Sequence, residues 1–161
     1  MRRDTQHPGW WLILASVFAG LVLAVIPLPD AIDPLRPDWL LLLVIYWSLR
    51  APRSIGLAFA TACGLALDVT KGTTLGQYGL GFLVAGFLTH RMQLRMRNFP
   101  ITHQALTVLM LLGLYQFLIF WIDGITGNAV THWERWLPIV TGTLLWPVLV
   151  GVMDGLARRR R

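Results

Sequence analysis

The side chains able to do chemistry are few in this chain, and their spacing assembles no recognisable centre. His7, His90, His103 and His132 are scattered, whereas a metal site needs clustered His, Cys or carboxylate ligands. His132-Trp133-Glu134 has no cysteine near it to complete a zinc site. Ser16, Ser48 and Ser54 are the only serines, and none has a base close in sequence. No Gly-x-Ser-x-Gly elbow, Walker loop or dinucleotide fingerprint occurs. Cys63 is the single cysteine and lies within an apolar run, so it reads as a small packing residue and no intramolecular disulfide can form. The sequence thus predicts no catalytic residue, no metal ligand and no cofactor.

Two polar residues are costly where they stand. Asp68 ends an apolar run, and a carboxylate there needs water, a cation or hydrogen-bond donors. Arg36, Lys71 and Gln77 are its candidate neighbours. The leading expectation is an ion pair that ties three helices together, with Arg36 preferred because its planar fork holds a carboxylate with two hydrogen bonds. A proton or substrate site and a partner contact are the alternatives. Gln116, midway along another apolar run, is expected to serve as polar glue between helices.

The elements that must position these residues are membrane helices. Hydrophobic residues make up 55% of the 161 and charged residues 14%, against about 25% charged in soluble domains. The net charge of +6 does not point to nucleic acid, because the basic residues cluster at the ends of apolar runs. Six spans are expected at about 10–28, 34–49, 55–70, 74–90, 104–122 and 137–154, within a single polytopic domain covering 1–161. The first resembles a signal peptide but ends in IPLPD without a small-residue cleavage site, and so reads as a retained span. The apolar cores of the second and third, 39–49 and 55–67, are short for a hydrocarbon layer about 30 Å thick. Either the second starts earlier, at Pro34 or Pro37, or the pair forms a hairpin shielded by the other helices.

Charge placement orients the spans. With the N-terminus inside, eleven of the 14 Lys and Arg fall on the cytoplasmic side, leaving Arg36, Lys71 and Arg135 outside. Aromatics follow the same boundaries: Trp10, Trp11, Tyr46 and Trp47 near the inner interface, and Trp39, Tyr78, Trp121, Trp133 and Trp136 near the outer one. The reading is a multi-pass inner-membrane protein with both termini cytoplasmic. Gly56, Ala60, Gly64 and Asp68 recur every fourth residue, beside Ala58, Ala62 and Ala66. Small residues on one face let helices approach closely, either for internal packing or for docking another protein's helix.

The stretch 36–100, roughly 40% of the chain, carries an ordered set of motifs. Arg36-Pro37-Asp38-Trp39 leads into LLLLVIYW, followed by Arg50-Ala51-Pro52-Arg53 and Gly56-Leu57. Then come Gly64-Leu65-Ala66-Leu67-Asp68-Val69, Gly72, Leu75-Gly76-Gln77-Tyr78 and Asn98-Phe99-Pro100. This order resembles the rod-shape-determining MreD family of Gram-negative bacteria. The resemblance implies an all-α membrane fold of six helices, similar to the substrate-binding membrane component of energy-coupling-factor transporters. It also implies a non-catalytic scaffold in the peptidoglycan-synthesising elongation machinery. The partners it implies are membrane lipids, an MreC-like bitopic protein, a RodA-like glycosyltransferase, a penicillin-binding transpeptidase and the MreB filament. On this basis Arg36, Pro37, Asp38, Gly56, Gly64, Asp68, Gly76 and Gln77 are assigned to structure or partner contact. The competing reading is a small-molecule binding or transport component, which a central polar cavity would favour.

Overall fold

A computed structural model describes residues 9–127 and 132–159. Arg2, Arg3, Asp4, His7, Arg160 and Arg161 lie outside those residues. The described residues form α-helices α1 (Trp10–Val25), α2 (Trp39–Arg50), α3 (Leu57–Lys71), α4 (Gln77–Met96), α5 (Ile101–Thr126) and α6 (Leu137–Arg159). Two single 3-10 turns, Asp33–Leu35 and Trp133–Trp136, precede α2 and α6, and no strand occurs among these residues.

The helix ends follow from local sequence. α1 stops because Ile26 precedes Pro27 and takes an extended conformation. α3 ends on Gly72, whose φ of +64° puts it in the left-handed region that glycine enters without strain. α2 starts at Trp39 and not at Pro34 or Pro37. Pro34 belongs to the separate 3-10 turn, and Arg36 ahead of Pro37 is extended, as the proline ring demands of its predecessor.

The resulting α2 has 12 residues and is about 18 Å long, too short to cross a hydrocarbon core. Its ten residues from Leu40 to Leu49 are nevertheless all buried. The helix is apolar all round, and such a helix belongs inside a bundle. It lies against α1, α4 and α6, while α3, α4, α5 and α6 pack in succession as antiparallel neighbours. The Trp47 indole donates to the Ser16 hydroxyl at 2.8 Å, fastening α2 to α1. At the other side, Tyr46 and Arg50 donate to the Asp154 carboxylate at 2.6 and 2.5 Å, fastening α2 to α6.

Around this core the outer faces of α1, α5 and α6 expose large apolar side chains. On α6 they recur every fourth residue as Val140, Leu144, Val148, Val152 and Leu156. α5 and the segment Trp133–Arg158 are long and apolar enough to cross a membrane, and α1 is a shorter apolar helix.

The small-residue face of α3 packs inward. A Cβ added at Gly64 would lie 2.6 Å from the Tyr78 carbonyl oxygen and 2.7 Å from the Gly79 Cα, so α3 meets the backbone of α4 there. Gly86 of α4 faces Ala60, its added Cβ 3.0 Å from the alanine methyl. Gly56 has nothing within 4 Å and takes no part in this contact. Gly64→Ala should therefore destabilise the protein by about 1–3 kcal/mol, the usual cost of overpacking. Gly56→Ala should stay within about 0.5 kcal/mol of the unsubstituted protein. Thermal unfolding in mild detergent measures both, and equal effects would show that the α3–α4 contact yields freely.

Candidate functional site

The polar side chains singled out in the sequence gather at the end of the bundle where α3 passes to α4. Asp68, in the last turn of α3, is 1% exposed. Its carboxylate accepts four hydrogen bonds: from the Thr73 hydroxyl at 3.0 Å and from the backbone N–H groups of Gly76, Tyr78 and Gly79 at 2.9, 2.8 and 3.1 Å. Tyr78 and Gly79 lie in the first turn of α4, whose N–H groups have no partners within the helix. An ordinary N-cap side chain would serve them, but the N-cap position is Gly76, with φ +97° and no side chain. Asp68 reaches across from α3 and takes that role, with its charge favoured at the positive end of the α4 dipole. The close approach at Gly64 and Gly79 makes this reach possible, since a Cβ at Gly79 would sit 3.6 Å from the carboxylate.

This arrangement replaces the expected Asp68–Arg36 ion pair. Arg36 turns the other way and donates to the carbonyls of Ala24, at 2.8 Å, and Ile26. Those carbonyls end α1 and lack helical partners, so a cation there offsets both the bare oxygens and the negative end of the dipole. Asp33 also approaches Arg36, at 3.4 Å. Each charge is thus spent on the backbone of a different helix. Lys71 does not bond Asp68 either, and its ammonium lies over the Tyr78 ring, 4.9 Å from the centroid.

Gln77, expected beside Asp68, instead donates to Asp123 near the end of α5 at 2.6 Å. Arg135 donates to the other oxygen of Asp123 at 2.6 Å, and its guanidinium stands over the Phe120 ring. The Asp123–Arg135 pair is largely withdrawn from solvent, with side chains 16% and 13% exposed. It joins α4, α5 and the turn before α6. Pro37 is buried, and Asp38 stands at the N-cap of α2 without a side-chain capping bond. Gln116 is half-buried and makes no hydrogen bond to another helix, so it is not the glue expected of it.

Sequence reasoning missed Asp123 and Asp154 as organising carboxylates. Alternation of antiparallel helices would have placed Asp154 beside Arg50, both being at the same end of their helices. No group of three or more His, Cys, Asp or Glu able to hold a metal occurs among the described residues.

Unfolding measurements separate these roles. Asp68→Ala should cost about 1–3 kcal/mol for each buried N–H left bare, and Asp68→Asn less, because an acceptor oxygen remains. Asp68→Ala and Arg36→Ala should add within about 0.3–0.5 kcal/mol, as non-contacting residues do. Asp123→Ala and Arg135→Ala should instead couple by about 0.5–3 kcal/mol. Coupling in the first pair, or strict additivity in the second, would contradict the geometry.

An apolar groove of about 380 Å³ opens between α1 and α3, with Leu40 of α2 in its lining. Leu14, Val17, Phe18 and Leu21 form one wall, and Phe59, Ala62, Cys63 and Ala66 the other. The chain matches the model of the family "rod shape-determining protein MreD" over residues 5–155. It is 29% identical over 150 residues to the rod shape-determining protein MreD of Haemophilus influenzae, in an alignment covering 93% of each chain. No solved structure matches it. The match runs through every helix, the Asp68 cap and the groove alike, and the chain belongs to the rod shape-determining MreD family.

Proposed function

We propose that this protein is a non-catalytic membrane scaffold of the peptidoglycan-synthesising elongation machinery, holding partner proteins through its helix faces. A role in determining rod shape comes with the family. The observation that carries the scaffold reading is the groove between α1 and α3. Its walls are apolar, and beside Phe59 the α3 wall is made of the small side chains of Ala62, Cys63 and Ala66, where another helix can come close. An MreC-like bitopic protein is the partner such a groove suits. A RodA-like glycosyltransferase and a penicillin-binding transpeptidase would use the broad apolar faces of α5 and α6. The MreB filament would meet the cytoplasmic end.

The same proposal places six spans in the inner membrane with both termini cytoplasmic. Arg50, Arg53, Arg91, Arg95, Arg97 and Arg158 stand at the ends of helices that succeed one another in antiparallel fashion, against Arg36, Lys71 and Arg135 at the other. The short α2 is compatible with this, because a helix enclosed by protein need not match the lipid.

A small-ligand component is the second reading. The Tyr115 hydroxyl, buried with no hydrogen-bond partner, favours it. Against it, Asp68 and Asp123 are already spent on backbone N–H groups, Gln77 and Arg135.

Ala62 is exposed at the groove wall, so Ala62→Trp should fill the groove without disturbing the core. Cells carrying it should lose rod shape while protein level and unfolding temperature hold. Rods that persist at normal width would remove the groove from the proposal. Reporter fusions at Asp30 and Lys71 should read as periplasmic, and those at Arg53, Arg95 and the C-terminus as cytoplasmic. The reciprocal pattern would invert the orientation.

A further inference from the structure

The two 3-10 turns lie side by side at the end of the bundle that the proposed orientation puts outside. Their surface combines two features that an interfacial aromatic belt does not explain together. Ile32, Leu35 and Trp133 are exposed, the last 70% so. Asp30, Asp33 and Glu134 stand exposed among them. The arginines that could neutralise these acids are turned inward: Arg36 onto the carbonyls ending α1, Arg135 onto Asp123. Asp30 and Glu134 make no hydrogen bond or ion pair, and Asp33 has only its exposed contact with Arg36. Residues 128–131, which follow α5, contribute no charge by sequence. A rim that serves only to sit among lipid headgroups gains little from exposed carboxylates of which two have no cation beside them. A rim that receives a cationic, partly apolar chain gains from both features, through charge complementarity around an apolar centre.

We propose that this rim docks a periplasmic juxtamembrane segment of another membrane protein, one that carries Lys or Arg between apolar side chains. The proposal rests on the orientation given above. Leu35 or Trp133 replaced by a photo-crosslinking amino acid in living cells reports what covers the rim. The crosslinked peptide should come from another membrane protein and contain Lys or Arg within a few residues of the adduct. Its yield should fall about three- to ten-fold when Asp30→Asn, Asp33→Asn and Glu134→Gln are combined, as expected for a few exposed charge pairs, and should fall as salt is raised on isolated membranes. These neutral substitutions add no cation, and only Asp33 touches a capping side chain, through its exposed contact with Arg36. An adduct to lipid, to a second copy of this chain or to a segment without cations would overturn the proposal, as would a yield indifferent to charge or no adduct at all. Ala31→Cys, probed in cells with a membrane-impermeant maleimide, separates the two premises. Labelling without an adduct defeats the docking alone, and absence of labelling even with the three acids neutralised defeats the orientation and the docking with it.

Discussion

The carboxylate of Asp68 accepts three backbone N–H groups from the start of a helix that has no capping side chain of its own. In apolar surroundings those groups cannot turn to water, so without Asp68 the first turn of α4 would be left bare at a cost of several kcal/mol. The other features of this region depend on that interaction. Gly64 must be a glycine for α3 to come within reach of α4, and Gly76 must be one for the chain to turn with positive φ while presenting its N–H. With α4 held at this end, Gln77 is positioned to join Asp123 and Arg135.

The same need to satisfy backbone groups explains α2. A helix of 12 residues facing lipid would leave its ends within the hydrocarbon. Enclosed by α1, α4 and α6 and fastened through Trp47, Tyr46 and Arg50, it becomes the core of the bundle. The remaining helices then carry the apolar faces that look outward. Between α1 and α3 a groove reaches down to Leu40 of α2.

Four charged side chains of this protein are spent on structure. Arg36 ends α1, Asp68 begins α4, Asp154 ties α6 to α2, and Asp123 gathers three segments. The two ends of the bundle differ in kind, one rich in arginines at helix ends and the other presenting acids beside exposed tryptophan and leucine.

The sequence by itself determined the helical class, the number and order of the apolar segments and the family, because these depend on composition, local periodicity and motif order along the chain. It also determined that Asp68 needed partners. Which partners it took was decided by tertiary structure. Carboxylates can be satisfied by cations or by backbone N–H groups, and only side chains are visible as letters. The donors at Gly76, Tyr78 and Gly79 are identical in kind to those of every other residue, so nothing in their types announced them. Likewise the run 39–49 looked too short for a span, and only the placement of α1, α4 and α6 around it shows that this helix never had to meet lipid at all.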